Sequence, residues 1–206
     1  MKGLPPQATN VAPGRIFTVF LDRDGVFNRA PRIMVRRPAG LRLLPGVLEC
    51  MARINRQDVR VALCTNQPYV STGLLPPKAL ARVHEHLSAQ IQAAGGRMDR
   101  IEVSTHFLGL RHKPRPGMLQ DAGAAFGSDP KLAVMVGDNV KDAQAAAAYG
   151  CEAILLATSH SRATLERRLR RKGVAVWAIV EDLPAAIALI ARRIEGVMGP
   201  APVRAR

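Results

Sequence analysis

Two carboxylates, Asp22 and Asp24, follow an apolar run at residues 16–21 and stand directly before Gly25. Carboxylates this close at the mouth of a buried strand repel one another and lose hydration, which is costly unless a cation lies between them. A hard divalent ion such as Mg²⁺ suits oxygen ligands of this kind. Because Asp and Gly also dominate ordinary turns, the motif alone predicts either a metal-assisted active site or a simple turn.

Polar residues that could bind a phosphoryl group follow two further apolar runs. Thr65, Asn66 and Gln67 come after residues 59–64, and their hydroxyl and amide groups can donate hydrogen bonds to a phosphoryl oxygen or a substrate hydroxyl. Lys113 precedes a proline, which favours an extended backbone and can direct the ammonium group into a crevice. Taken singly, each motif is equally typical of a strand end or a solvated basic loop.

A second pair of carboxylates, Asp138 and Asp142, follows the apolar run at residues 132–136. On a helix, residues four apart lie on the same face, so both side chains can point toward one place. Together with Asp22 and Asp24 they would complete an oxygen-rich cation site. The alternative for Asp142 is an acidic residue that stabilises the first turn of a helix.

The elements that must position these residues form a regular alternation of short apolar runs and longer amphipathic stretches. This pattern is typical of a parallel sheet with helices on both faces, and such sheets bind ligands beyond the carboxyl ends of their strands. We therefore predict an α/β fold, a Rossmann-like three-layer sandwich with a mostly parallel central sheet. The predicted strands are 16–21, 59–64, 100–104, 132–136, 152–157 and 174–180, and the predicted helices are 45–55, 77–94, 116–126, 140–149, 161–172 and 183–197.

The chain length of 206 residues favours one domain. We predict a flexible lead-in at residues 1–14, a single domain at 15–198 and a disordered tail at 199–206. No spacing between motifs accommodates a large cap domain, so residues 29–45 and 68–77 are predicted to rim the site.

The sequence contains no apolar stretch long enough for a membrane span and no secretory signal, which predicts a cytoplasmic protein. Its three cysteines, at no motif spacing, agree with a reducing compartment.

The charge balance is strongly basic, with 30 Lys+Arg against 16 Asp+Glu and a net charge of +14. Such a surface attracts polyanions, which include both nucleic acids and phosphorylated metabolites. Aromatic residues make up only 4% of the chain, so little is available for stacking unpaired bases. We predict that the basic run at residues 162–172 is a solvated helix face, with polyanion binding as the alternative.

The joint order of these motifs, each at a successive strand end, resembles the haloacid-dehalogenase superfamily of phosphohydrolases. More narrowly, the sequence is similar to the D,D-heptose 1,7-bisphosphate 7-phosphatase / histidinol-phosphate phosphatase family. The resemblance covers residues 15–158. It is carried by DRDGVFN at 22–28, LPGV at 44–47, TNQ at 65–67, KPRPGM at 113–118 and VGD at 136–138.

The resemblance implies a Mg²⁺-dependent phosphomonoesterase that works through an aspartyl-phosphate. Asp22 would be the nucleophile, and Asp24 would protonate the leaving oxygen and later activate water. The metal ion would be held by Asp22, the backbone carbonyl of Asp24, and Asp138. Thr65 and Lys113 would bind the transferring phosphoryl group.

Further residues receive supporting roles from the same resemblance. Asp142 would orient Lys113 or a metal-bound water. The predicted substrate contacts are Asn28, Arg29, Arg32, Thr65, Asn66, Gln67, Arg111, His112, Lys113 and Asn139.

The most favoured substrate is a D-glycero-D-manno-heptose 1,7-bisphosphate, from which the 7-phosphate would be removed by a monomeric enzyme of carbohydrate metabolism. Histidinol phosphate and a polynucleotide 3′-phosphate stay open as alternatives, and so does a basic nucleic-acid-binding protein.

Relatives often carry a zinc loop of three Cys and one His before the Lys-Pro pair. Residues 105–112 contain no Cys, which excludes a thiolate zinc site. His106 and His112 are predicted to be solvated, with metal binding as the alternative.

Overall fold

Six parallel strands form one sheet in the computed structural model of the protein, which describes residues 16–56 and 58–199. The order across the sheet is β3-β2-β1-β4-β5-β6. The strands are β1 (Phe17–Leu21), β2 (Val59–Asn66), β3 (Arg100–Ser104), β4 (Ala133–Gly137), β5 (Glu152–Leu156) and β6 (Ala178–Val180). The predicted lead-in at 1–14 lies outside the described residues, as does the predicted tail beyond Gly199.

Helices cover both faces of this sheet, because successive side chains on a strand point to opposite faces. Phe17, Val19 and Leu21 of β1 pack in one core cluster with α1, α2 and α6, whereas Phe20 packs in the other with α3, α4 and α5. The predicted three-layer α/β sandwich is confirmed. The helices are α1 (Val47–Arg53), α2 (Pro77–Ala93), α3 (Gly117–Phe126), α4 (Val140–Tyr149), α5 (Arg162–Lys172) and α6 (Leu183–Met198).

The predicted boundaries agree best for the central strands. Every residue of β1 and β4 is buried, as a strand covered on both faces must be, and this produces the continuous apolar runs that the sequence shows. The sixth strand is shorter than predicted, because Val174 and Val176 pack against the second core cluster ahead of the strand. Thr65 and Asn66 belong to β2 itself instead of following it.

The loops beyond the carboxyl ends of the strands stay short of a cap domain. Residues 22–46 contain one 3-10 turn, Pro38–Gly40, and an isolated bridge between Asn28 and Leu43. Residues 67–76 contain a second such turn, Pro68–Val70. Across 16–56 and 58–199, therefore, no large cap covers the sheet, as predicted. Within the same residues, none of the helices combines the length and apolarity needed to cross a bilayer.

Candidate active site

The candidate site lies where β1 and β4 end side by side at the centre of the sheet. The amide of Asp22 donates to the carbonyl of Val136, the partner of Leu21 in the β1–β4 register, over 2.9 Å. From β1 the chain builds the sheet outward through β2 and β3, then returns to the other side of β1 with β4. Parallel sheets open a ligand crevice at such a reversal of strand order. The fold therefore delivers Asp22 and Asp138 to one crevice.

Three carboxylates meet in this crevice. Asp22, Asp138 and Asp142 each bring an oxygen within 4.8 Å of the others, and within the described part of the chain they are the one group of three or more possible metal ligands. Two glycines make this approach possible. A Cβ added at Gly25 would lie 2.0 Å from Oδ2 of Asp138, and one at Gly137 would lie 2.3 Å from the carboxyl group of Asp142. At these two positions any side chain would displace a carboxylate.

The electrostatics of the cluster call for a cation. Burial raises the pKa of Asp22 to about 6, although Lys113 opposes the rise. Burial, together with repulsion from Asp22 and Asp142, raises the pKa of Asp138 to about 7. Without further positive charge, Asp138 would be protonated in part of the molecules at neutral pH, and Asp22 would gain its proton just below neutral pH. A bound metal ion would keep them ionised.

The chemistry of the donors fits Mg²⁺. The three clustered carboxylates supply three negative charges, and Lys113 beside them supplies one positive charge. The formal balance of −2 matches one divalent ion, and an all-oxygen donor set is the kind that Mg²⁺ prefers. The residues present therefore fit the metal that the sequence predicted.

Lys113 is the cation at the centre of the cluster. It is 1% exposed, and its Nζ lies 2.6 Å from Oδ1 of Asp142 and 3.0 Å from Oδ2 of Asp22. Burial by itself would lower the pKa of Lys113, but the charges of Asp142 and Asp22 outweigh it and raise the pKa. The lysine is thus held charged beside Asp22. Asp142 orients it, as the sequence predicted.

The backbone of Lys113 is fixed by Asn66. Oδ1 of Asn66 accepts from the amide of Lys113 over 3.1 Å, and Nδ2 donates to its carbonyl over 3.0 Å. The same Nδ2 lies 3.1 Å from Nε2 of His112, whose Nδ1 lies 3.4 Å from Oγ of Ser104. Asn66 and His112 were predicted to contact substrate. Their substrate contacts stay predictions. In the structure the Asn66 side chain positions the backbone of Lys113, and His112 contacts Asn66.

Asp24 receives a similar set of supporting contacts. Its carboxylate accepts from Nδ2 of Asn28 and Nε2 of Gln67, each over 2.9 Å, and Gln67 also donates to Oγ1 of Thr65 over 3.0 Å. Asn28 is 0% and Gln67 3% exposed. Their substrate contacts stay predictions, and in the structure both side chains donate to the carboxylate of Asp24. Thr65 belongs to the same network, because its hydroxyl accepts from Gln67.

Two residues that sequence reasoning missed belong to this site. Arg23, between the two aspartates, is fully buried and pairs with Asp24, and His84 of α2 contacts Arg23. A charged residue is rarely buried unless it is paired, so its place between two acids was the available signal for Arg23. His84 lies four residues after the buried Leu80 on the inner face of α2, which is a weaker signal.

The remaining predicted substrate contacts separate into two groups. Arg29 and Arg32 are exposed, on the loop that leaves Asn28. Arg111 forms ion pairs with Glu102 of β3 and with Asp121 of α3, so its guanidinium ties a loop to the scaffold. Asn139 caps α4, since its Oδ1 accepts from the amide of Lys141 over 3.2 Å. For Arg111 and Asn139 the structure shows structural contacts, and their substrate contacts stay predictions.

Comparison with known proteins agrees with this geometry. A family model described as HAD-hydrolase-like matches residues 110–186. The structure of a D,D-heptose 1,7-bisphosphate phosphatase from Bordetella bronchiseptica, complexed with magnesium and phosphate, superposes with a TM-score of 0.77 at 31% identity. It covers 86% of this chain, and this chain covers 99% of it. Fold and site define a haloacid-dehalogenase-like phosphatase, a hydrolase of phosphoric monoesters.

Proteins with similar sequences identify the family within this class of phosphatases. The D-glycero-beta-D-manno-heptose-1,7-bisphosphate 7-phosphatase of Bordetella bronchiseptica is 34% identical over 170 residues, which are 81% of this chain and 93% of the relative. The D-glycero-alpha-D-manno-heptose-1,7-bisphosphate 7-phosphatase of Mycobacterium tuberculosis is 32% identical over 158 residues, 72% of this chain and 83% of the relative. The chain belongs to the heptose-1,7-bisphosphate 7-phosphatase family.

Proposed function

We propose that this enzyme is a Mg²⁺-dependent phosphatase that removes the 7-phosphate from a D-glycero-D-manno-heptose 1,7-bisphosphate. The observation that carries the chemistry is Lys113, buried and charged between Asp22 and Asp142 beside a third carboxylate, Asp138. This arrangement supplies a nucleophile together with positive charge for a phosphate dianion. The substrate is supported by the heptose-1,7-bisphosphate 7-phosphatases that this chain matches over most of their length.

Asp22 acts as the nucleophile in the proposed reaction. One of its carboxylate oxygens attacks phosphorus, and the bond from phosphorus to the sugar oxygen breaks. Asp24 gives its proton to that oxygen as the sugar alcohol leaves. A water molecule then transfers a proton back to Asp24 and attacks phosphorus. The bond between Asp22 and phosphorus breaks, and inorganic phosphate is released with both aspartates restored.

Lys113 and Thr65 bind the transferring phosphoryl group in this mechanism. Because Lys113 is held by contacts to its backbone and its ammonium group, it needs no rearrangement when charge develops on the phosphoryl oxygens. Asp22, the backbone carbonyl of Asp24, and Asp138 would hold Mg²⁺. The ion would offset the negative charge that substrate and nucleophile bring together.

Phosphate release from a panel of purified substrates tests the proposal. The panel contains the alpha and beta anomers of heptose 1,7-bisphosphate, histidinol phosphate, fructose 1,6-bisphosphate and a 3′-phosphorylated oligonucleotide. We expect the highest kcat/KM for one heptose bisphosphate anomer, with the 1-phosphate retained in the product. A higher kcat/KM for histidinol phosphate or the oligonucleotide would overturn the substrate assignment. Loss of the 1-phosphate would overturn the proposed position of cleavage.

We also propose that the enzyme acts as a cytoplasmic monomer on a small metabolite. A net charge of +14 makes copies of the chain repel one another. The cysteines Cys50, Cys64 and Cys151 are free thiols, which agrees with a reducing compartment. Light scattering at physiological salt should give the mass of one chain, and a dimer mass would overturn the monomer.

A further inference from the structure

Arg23 is a buried guanidinium that lies against Asp24, the proton donor of the proposed reaction. Its side chain is 0% exposed, and a buried charge is costly unless it is paired. Nε and Nη2 donate to Oδ1 of Asp24 over 3.2 and 3.1 Å, and Nη2 also donates to Oδ2 over 2.9 Å. A fork of this kind fixes the plane of a carboxylate as well as its position. Arg23 therefore fixes the orientation of Asp24 together with Asn28 and Gln67.

His84 completes the coordination of Arg23 from the opposite side. Its Nε2 lies 3.2 Å from Nη1 of Arg23, and the residue is 6% exposed. A guanidinium can only donate, so Nε2 accepts and the ring is neutral with its proton on Nδ1. Burial and the charge of Arg23 lower the pKa of His84 to about 4. The imidazole thus remains an acceptor throughout the neutral range.

We propose that Arg23 and His84 form a brace, with His84 holding Arg23 and Arg23 holding the carboxyl group of Asp24 in line for proton transfer to the leaving oxygen. The inference rests on the proposed function, because it requires Asp24 to be the proton donor. Both are positioning residues, buried behind Asp24. Without the ring nitrogen of His84, Nη1 of Arg23 would be a buried donor with no acceptor. The guanidinium would then rotate toward another acceptor and lose its geometry at Asp24.

The leaving group of the substrate separates this role from a merely structural one. An alkyl phosphate such as glycerol 3-phosphate expels a strongly basic alkoxide and depends on a proton donor. The p-nitrophenolate ion leaves p-nitrophenyl phosphate without protonation. The ratio of kcat/KM for the two esters therefore reports the proton transfer, and kcat/KM excludes the later hydrolysis of the aspartyl-phosphate.

Variants of both brace residues should lose activity selectively on the alkyl ester. We expect His84→Leu to lower kcat/KM for glycerol 3-phosphate about 10-fold and Arg23→Lys about 100-fold, with changes below about twofold for p-nitrophenyl phosphate. His84→Gln should recover most of the loss, since its amide oxygen can accept from Nη1. Each variant should also show a burst of p-nitrophenol, because Asp24 activates water poorly when it is misplaced.

The matched control is His86→Leu, two residues along α2 and half-buried, which should leave both esters unchanged. Thermal melting checks that each variant is folded, and if Arg23→Lys is not, the two His84 variants decide the result. Equal losses on both esters, or no loss with His84→Leu, would overturn the brace. A wild-type enzyme that hydrolyses neither these two esters nor any phosphate ester of the substrate panel would instead overturn the proposed function, and the brace with it.

Discussion

The floor of the crevice and its rim differ sharply in how tightly their side chains are held. We call the buried charged residues of the site the floor: Asp22, Arg23, Asp24, Lys113, Asp138 and Asp142. Each of them is paired with a neighbouring charge or lies against another carboxylate. The rim consists of residues 29–45, 68–77 and 105–112. We therefore expect the floor to determine the reaction and the rim to determine the choice of substrate.

The composition of the rim supports that division. Its exposed apolar side chains include Ile33, Leu74, Leu108 and Leu110, which are 65%, 54%, 81% and 79% exposed. Exposed arginines stand among them on the segment after β1. Exposed loop residues change without disturbing the core, so the rim can be altered while the chemistry below stays intact. Apart from the dependence on leaving group expected for Arg23 and Asp24, floor variants should slow all substrates alike, and rim variants should distinguish between substrates.

The largest effect is expected for Asp22→Asn in the floor. The amide has the shape of the carboxylate but cannot attack phosphorus, so kcat should fall by about 10⁴-fold or more on all substrates. The Tm should be unchanged or higher, because one charge leaves a crowded group of carboxylates. Phosphate release and thermal melting measure the two quantities. A few per cent of wild-type kcat in a preparation free of contaminating phosphatase would exclude Asp22 as the nucleophile.

A smaller loss, shared by all substrates, is expected for Asn66→Ala. The change removes the two hydrogen bonds that fix the backbone of Lys113, and displacing a catalytic group lowers its effectiveness about 10- to 100-fold. kcat/KM should therefore fall by the same factor for a sugar bisphosphate and a monophosphate. A loss confined to the bisphosphate would show that Asn66 contacts substrate, as its position after the second apolar run first suggested.

Arg32→Ala should weaken the binding of a sugar bisphosphate and leave the binding of a monophosphate unchanged. A guanidinium can bind phosphate through two hydrogen bonds, and we expect Arg32 to hold the phosphate that is not cleaved. KM for the bisphosphate should then rise about tenfold, equivalent to ~1.4 kcal/mol, while KM for a monophosphate stays the same. Arg36→Ala, also exposed on this segment, is the control. Equal losses on both substrates would show that Arg32 acts at the reacting phosphoryl group or in the fold.

The smallest effect is expected from a zinc-selective chelator. Residues 105–112 contain no Cys, and Nε2 of His112 contacts Asn66, so chelating zinc should change neither activity nor Tm. EDTA should abolish turnover, and added Mg²⁺ should restore it. Stoichiometric zinc in the purified protein, with unfolding on chelation, would show that this part of the rim binds a metal after all.

Sequence alone was sufficient for the scaffold and for the acidic residues of the floor. The strands are buried on both faces, so continuous apolar runs identify them in the sequence. Because the strands are parallel, their carboxyl ends lie at one edge of the sheet. Asp22 and Asp138 each follow such a run by one or two residues. Their meeting point follows from the topology of the sheet. No knowledge of side-chain orientation was required.

Side-chain amides show what sequence could not supply. Asn66, Gln67 and Asn28 stand where a substrate contact is plausible, but each has both donors and acceptors and can equally bond to the protein. Which partner an amide meets depends on distances of a few tenths of an ångström. Arg23 was missed for a related reason, since its acceptor His84 is 61 positions away in the chain. Only the packing of α2 against the site reveals that pair.

The central pairing of β1 with β4 sets when the enzyme becomes active during its synthesis. Leu21 pairs with Val136, so the two strands that carry the nucleophile and Asp138 are separated by more than half of the 206-residue chain. Contacts of such long sequence separation form slowly, because closure of the intervening chain loses entropy first. A nascent chain that has exposed β1, β2 and β3 possesses Asp22 but lacks Asp138 and Asp142. Phosphatase activity therefore reports that β4 and the start of α4 have joined β1, and an N-terminal fragment that ends before Asp142 should not show it.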